Sequence, residues 1–531
     1  MTAAGYVRGS PAAFRSDPDP DAGVGGGVDT GATRTPLDGV ADLAARAPWA
    51  APALLTLALG WYQIGRPELW RDELSSWSFA ARPVSGLIAT ARNTGATQLA
   101  YYLLLHFWIT AFGSSADAMR SLSVLAMAGA AACVTLVGRK LAGPRAGLAS
   151  GLVFALVPSA SRFAQEVRFY ALEILVATAC TLLLLRALER PTWRRWLAYG
   201  AGVALLGYVD LVALSVLAGH AAGVALRFRH DRDRRQLWFA PAAAAGLAAC
   251  APLAAIGWSQ AADQVGWIPR PGLDLTAFSF FFSNLFYSAS VAAALIVLAV
   301  LAWAVARREA AFATAIAIIP VAVVWLVSQG PHSYFFPRYL LLTVGAWAIL
   351  AGIALSRLDV RIAVAALLVI AILGAGDQQE IRSPGAHSWP EYPVGSGASY
   401  LDYAGAAAVI ARQARPGDGI VYQFKGRARP MLIGTGVRYF LTRDLRPGAP
   451  VPRELFIRES AAQADVLYPV QCRHPDMCAG DAPRIWVVGW RDITNPGQAA
   501  TPAQAEALRP YYRLASVAHV EGLTVFLLVR T

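Results

Sequence analysis

The run Leu69-Trp70-Arg71-Asp72-Glu73 begins just past the first long apolar stretch, residues 48–65, and sets an arginine and two adjacent acids where that stretch ends. Charges at the edge of a bilayer are costly and are kept where they serve a purpose. What the run means depends on whether the stretch before it is a membrane span, and composition decides that. The 531 residues are 56% apolar and 15% charged, against about 45–50% and about 25% in soluble domains. A soluble fold of this length has too little interior for so much apolar side chain, whereas a bilayer accommodates it. Asp72 and Glu73 therefore stand at the mouth of a helix bundle.

The net charge of +12 would fit a nucleic-acid partner if the basic residues formed one patch. They fall instead in short clusters between apolar runs: Arg139, Lys140 and Arg145; Arg186, Arg190, Arg194 and Arg195; Arg227 to Arg235; Arg307 and Arg308; Arg357 and Arg361. Such clusters hold the cytoplasmic ends of spans and meet anionic lipid headgroups. Membrane lipids are the expected partners of this charge, and nucleic acid is not.

Apolar length and the basic clusters predict about eleven spans: 48–65, 117–138, 145–163, 169–188, 196–209, 211–228, 237–257, 288–306, 310–328, 339–356 and 361–376. The segment 99–113 is about 15 residues, short for a crossing. Counting it would also move Arg139, Lys140 and Arg145 outside, so it is assigned as a re-entrant or interfacial helix on the outer face. This topology collects Asp72, Glu73, Glu166, Arg168, Asp210 and Arg338 on one side, a grouping that was not used to build it.

Residues 1–46 are rich in Gly, Pro, Asp, Ala and Thr and lack the pattern of a signal peptide; they are expected to be a disordered cytoplasmic tail. Residues 47–376 form the transmembrane domain. From 377 onward Pro and Gly recur and a helix, Ser399–Ala414, precedes strand-like runs at 420–424, 484–490, 514–519 and 523–529. That alternation predicts a small extracytoplasmic α/β domain, 377–531. No glycine-rich phosphate loop opens a helix there, so no nucleotide site is assigned. The fold class expected is a multi-pass α-helical membrane protein carrying this small domain.

Of five cysteines, Cys133, Cys180 and Cys250 fall within spans and read as packed apolar residues. Cys472 and Cys478 bracket Arg473-His474-Pro475-Asp476-Met477, and an oxidising compartment favours a disulfide between them. The weaker alternative, a metal site with His474, does not match usual zinc spacing.

The motif at 69–73 resembles the first outer-loop acidic motif of GT-C-type membrane glycosyltransferases that use polyprenyl-phosphate sugars, in particular the actinobacterial mannosyltransferase-like branch (family 39) related to the protein O-mannosyltransferases. Further matches follow in order: Tyr101-Tyr102-Leu103-Leu104-Leu105-His106-Phe107-Trp108, then Phe112-Gly113 with Arg120. Ser161-Arg162-Phe163-Ala164-Gln165-Glu166-Val167-Arg168-Phe169-Tyr170 is similar to the second outer-loop motif, and Phe336-Pro337-Arg338-Tyr339-Leu340 to the late Pro-Arg-Tyr motif. The resemblance covers about residues 48–356. One departure stands out: relatives carry a His just before the paired tyrosines, where this chain has Gln98, which hydrogen-bonds but cannot titrate.

The resemblance implies transfer of a sugar, mannose being the expected one, from a polyprenyl-phosphate donor to an acceptor hydroxyl on a protein, glycan or glycolipid, with inversion at the anomeric carbon. Asp72 would be the base that takes the acceptor proton, and Glu73 would orient a group or share a proton. Arg168 and Arg338 would hold the leaving phosphate through bidentate hydrogen bonds, with Arg71 and Arg120 behind them. Glu166 would position Arg168 or bind a sugar hydroxyl, and Tyr102 would line the donor site. A divalent metal is left open, since relatives differ in using one and no metal ligands are assigned. Each residue also has a plain structural alternative: Asp72 and Glu73 starting an interfacial helix, Glu166 and Arg168 as an ion pair, Arg338 snorkelling to headgroups. Asp210 reads as a solvated turn residue, and His106 and His220 as packed. The rival functions are a transporter or lipid flippase, and a silent relative that binds lipid-linked sugar; no symmetric halves with broken helices support the transporter.

Overall fold

Every one of the eleven apolar stretches folds as helix, but not all of them are long enough alone to reach across a bilayer. The structure, a computed structural model, describes residues 47–386, 400–424, 426–444, 450–478 and 480–531. The expected tail, 1–46, and Ser399 at the start of the expected C-terminal helix lie outside the described residues. Among those described, seven helices are long and apolar enough to span, from Ala116–Ala142 to Val360–Glu380, and nine if each of two bent pairs is one span. The other two stretches form Ala50–Trp61 and Trp193–Val209, 12 and 17 residues long. At 1.5 Å per residue these reach about 18 and about 26 Å, short of a bilayer core of about 30 Å. The length-based count is therefore seven to nine, in place of the predicted eleven. Leu99–Phe112, at 14 residues, is about 21 Å long.

The two bends have local causes. Pro158 ends Pro144–Leu156 and starts Pro158–Ala164 at an angle of 62°, because proline has no N–H to continue the ladder and its ring crowds the preceding turn. Leu275–Phe286 meets Ala289–Val305 at 97°; Tyr287 turns left-handed at φ 55°, and the Ser288 hydroxyl accepts the Val291 N–H to open the next helix. Small residues let the central helices approach. A Cβ on Gly352 would lie 2.2 Å from Ser150 Oγ and 2.5 Å from its backbone nitrogen, so Val344–Ser356 and Pro144–Leu156 touch backbone to side chain there, as is common between helices in lipid.

The C-terminal part is a sheet flanked by helices. Strands β1 (Gly419–Tyr422), β2 (Arg453–Glu454), β5 (Arg484–Trp490), β6 (Tyr512–Val520) and β7 (Leu523–Arg530) lie in the order β2-β1-β5-β7-β6, and β3 (Ile457–Glu459) pairs with β4 (Val470–Gln471). β1 is parallel to β2 and β5, and β7 is antiparallel to β5 and β6. The run Ile485-Trp486-Val487-Val488 is apolar throughout because β5 is covered on both faces. Trp486 and Val488 join a core with Tyr403, Ile410 and Val437 that continues into the membrane helices. Ile485 and Val487 join a separate core with Leu455, Phe456 and Phe526.

The sheet is fastened to the bundle. Arg82 donates to the Val466 carbonyl at 2.7 Å and Asn93 to that of Asp465 at 2.9 Å. The Tyr439 hydroxyl donates to the Ser114 carbonyl at 2.8 Å, and its ring meets Trp77 edge-on at 4.9 Å. Cys472 and Cys478 form a disulfide.

Candidate active site

The helix Arg71–Ala80 starts at the acidic motif because Glu73, its third residue, accepts the Trp70 N–H at 3.3 Å, half of a capping box. The same carboxylate accepts the Val167 N–H at 3.0 Å and is gripped by Arg120, Nε to Oε1 and Nη2 to Oε2, both at 2.8 Å. Arg120 spends its remaining donors on the carbonyls of Ile64, Pro67 and Glu68. Both side chains are fully buried. Glu73 thus orients two backbone segments, 69–73 and 166–168. Arg120, ranked by sequence as a reserve phosphate ligand, has every N–H committed within the protein and none left for a phosphate.

Asp72 points the other way, into a cluster of guanidinium groups. Its Oδ2 is 3.1 Å from Arg338 Nη1 and its Oδ1 3.4 Å from Arg71 Nε. Arg338 comes from the 3₁₀ turn Pro337–Thr343, and its guanidinium carbon lies 5.5–6.0 Å from the rings of Trp70, Tyr170, Trp267, Phe336 and Tyr339, within cation–π reach. Arg168 completes the group, lying over Phe169 and Tyr170 and beside Tyr102 and Asp72. Burial alone would raise the Asp72 carboxyl; Arg338, Arg71 and Arg168 outweigh it and hold the group below the ordinary carboxylate range. Asp72 is an anion at neutral pH.

The departure from the family pattern finds a partner here. The Gln98 side-chain carbonyl accepts the Tyr102 hydroxyl, so Gln98 fixes the ring beside Arg168 without carrying charge. Glu166 accepts the Trp70 indole N–H at 3.0 Å and sits 3.2 Å from Arg162. It therefore braces the first motif against the second. Burial pushes its carboxyl above the usual value, with Arg162 opposing and Glu73 adding. The segment itself is anchored: Gln165 donates to the carbonyls of Gly60 and Tyr62, and Ser123 to that of Glu166.

Around Arg168 some buried polar atoms lack partners. Arg168 Nε, the Tyr170 hydroxyl and the Tyr101 hydroxyl have no hydrogen-bond partner among the described residues. Buried polar groups are nearly always satisfied in native proteins, so three orphans gathered about Arg168 mark room for a polar ligand.

Asp210 corrects the sequence reading. It is 8% exposed, not solvated: Oδ1 accepts the Val212 N–H, Oδ2 has no partner among the described residues, and burial pushes the carboxyl up to about 7. The histidines are packed as expected, His106 on the Ala80 carbonyl and His220 between Thr181 and Tyr199.

Among the described residues no group of three or more His, Cys, Asp or Glu side chains is placed to hold a metal. At Asp72 the arginines already neutralise the carboxylate and would repel a cation. The donor set does not fit a divalent metal, and no chemical step is assigned to one.

The profile of the dolichyl-phosphate-mannose-protein mannosyltransferase family matches residues 98–256. No curated protein matches the chain. Among solved structures, ArnT from Cupriavidus metallidurans in the apo state is similar, with 15% identity and a TM-score of 0.55, over 92% of this chain and 98% of that one. The same protein bound to undecaprenyl phosphate matches at 15% identity and 0.54, over 91% and 98%. At this identity the likeness is one of fold. The chain has the GT-C fold of multi-pass membrane glycosyltransferases, as its motifs led one to expect.

Proposed function

We propose that this protein is an inverting glycosyltransferase that moves a sugar from a polyprenyl-phosphate donor to an acceptor hydroxyl on the outer face of the membrane. One observation carries the reading: Asp72, Arg168 and Arg338, distant in sequence, converge beside orphaned polar atoms at one end of the bundle. The basic clusters lie at the opposite ends of the same helices, as with Arg139 and Lys140 on Ala116–Ala142. That arrangement supports a cytoplasmic N-terminus and an extracytoplasmic C-terminal domain, where a disulfide is stable.

In the resting site Arg338 is tied to Asp72. An incoming lipid phosphate competes for Arg338 and Arg168 and frees the Asp72 carboxylate. The acceptor hydroxyl gives its proton to Asp72 while its oxygen attacks the anomeric carbon. The bond from that carbon to the phosphate oxygen breaks, and polyprenyl phosphate leaves with the electron pair, its charge held by the two arginines. Glu73 takes no proton: its contacts make it a positioning residue. Arg71 steadies Asp72, and Tyr102 lines the donor side beside Arg168. Mannose is the proposed sugar, in keeping with the family match over 98–256, and a protein, glycan or glycolipid is the acceptor.

Purified full chain given radiolabelled polyprenyl-phosphate mannose and membrane acceptor should form labelled product, and Asp72→Asn should lower the rate by at least about 10²-fold, the usual worth of a general base. Turnover unaffected by Asp72→Asn would remove Asp72 from that role. Flux of lipid-linked sugar across proteoliposomes without transfer would favour a flippase.

A further inference from the structure

The C-terminal part brings Tyr468 near Asp72, and with it Arg429 and Phe424. Arg429 leaves the 3₁₀ turn Gly426–Met431, and its guanidinium carbon lies 4.7 Å from the ring of Tyr468 and 5.5 Å from that of Phe424, the two rings meeting edge-on at 5.7 Å. Both loops that carry them are pinned. Residues 465 and 466 are held by Asn93 and Arg82. The turn at 426–431 runs into Ile433–Asp444, whose Tyr439 packs on Trp77 of the helix that bears Asp72, and Tyr403 donates to the Met431 carbonyl. Tyr468 is close enough to Arg71 and Asp72 for their charges to act on its hydroxyl. Arg429 is exposed and has no ion-pair or hydrogen-bond partner among the described residues.

A guanidinium held against aromatic rings keeps its N–H groups for a polar partner, and their fork matches a phosphate or carboxylate. Aromatic faces beside it suit the C–H face of a sugar ring. We infer that Phe424, Arg429 and Tyr468 form the acceptor subsite, and that the acceptor is a sugar bearing a phosphate or carboxylate. This rests on the glycosyl-transfer reading: the ring on Tyr468 would present its hydroxyl to Asp72.

The test uses full-length protein in detergent and three probes: methyl α-mannoside 6-phosphate, methyl α-mannosiduronate and neutral methyl α-mannoside, with undecaprenyl phosphate as the donor-side control. At least one anionic probe should bind about tenfold more tightly than the neutral one, a difference of about 1.4 kcal/mol, and which of them does so separates phosphate from carboxylate. Arg429→Gln should erase the preference. Tyr468→Ala should weaken all three probes, and Tyr468→Phe should not. Undecaprenyl phosphate binding should be unchanged in each variant. An anionic preference that survives Arg429→Gln overturns the inference, as does undecaprenyl phosphate binding with no glycoside binding. A serine- and threonine-rich peptide that bound instead, with the same dependence on Arg429, would also overturn it. Loss of undecaprenyl phosphate binding in the unmodified protein would bring down the underlying reading as well.

Discussion

Asp72 and Glu73 are adjacent in sequence, yet their carboxylates work on opposite sides of one helix turn. Glu73 is locked to Arg120 out of water, and a buried ion pair that loses one partner strands the other. Glu73→Gln should therefore cost about 3–5 kcal/mol, read as a lowered thermal unfolding midpoint in detergent; an unchanged midpoint would deny it the anchoring role. Asp210 carries a pH signature. Its folded value near 7 stands above the usual 3.8, so between those values the folded protein keeps a proton that the unfolded chain has lost. Stability should fall as pH rises through that window, by about 1.4 kcal/mol per unit, and level off above 7. Asp210→Asn should flatten part of the slope in unfolding midpoints measured from pH 5 to 8, the remainder coming from other raised carboxyls such as Glu166. That Asp72, Arg168 and Arg338 come together was legible from ordered motifs placed on one side of the membrane. The Glu73–Arg120 grip was not, since a pairing across 47 residues leaves no local pattern and an Arg in the first turns of a span reads equally well as a phosphate ligand. Asp210 was misread because a short turn between spans implies solvent, and only the packed neighbours show otherwise.

At the level of elements, hydropathy located the eleven apolar helical stretches but not their lengths, and it missed Leu275–Phe286, which lies in a stretch assigned to the outer side. Ala50–Trp61 stops short because Tyr62 to Trp70 is drawn off to the site: Arg120 takes the carbonyls of Ile64 and Pro67, and Arg382 those of Leu59 and Tyr62. Such tertiary capture has no trace in an apolar window. Strands β1, β5, β6 and β7 were read from their apolar runs, whereas the two- and three-residue strands β2, β3 and β4 were too short to show. Ile433–Asp444 was missed although Ile433, Val437, Phe440 and Leu441 recur at helical spacing and pack into the core. The tight crossing at Gly352 gives a sharp forecast. Gly352→Val would drive side-chain carbons into Ser150 and should lower stability by about 1–3 kcal/mol, seen as an earlier unfolding midpoint. Adding Ser150→Gly should recover part of the loss, and no recovery would place the strain elsewhere.

Across the described residues, segments at one end of the bundle bring the arginines to Asp72, and the sheet packs against the bundle. One face of β5 shares its core with the bundle, so the C-terminal part is built into the site instead of hanging from a linker. The resting state is then a set of guanidinium groups awaiting an anion, with Asp72 as the internal stand-in. That arrangement can be read by lipid binding alone, without an acceptor. Undecaprenyl phosphate at 100 times its Kd should stabilise the purified protein by about 2.7 kcal/mol, shown as a raised unfolding midpoint. Asp72→Asn should be stabilised at least as much, because Arg338 is no longer shared, whereas Arg168→Gln and Arg338→Gln should lose most of the shift. Equal stabilisation of all four proteins would contradict a phosphate held by these two arginines.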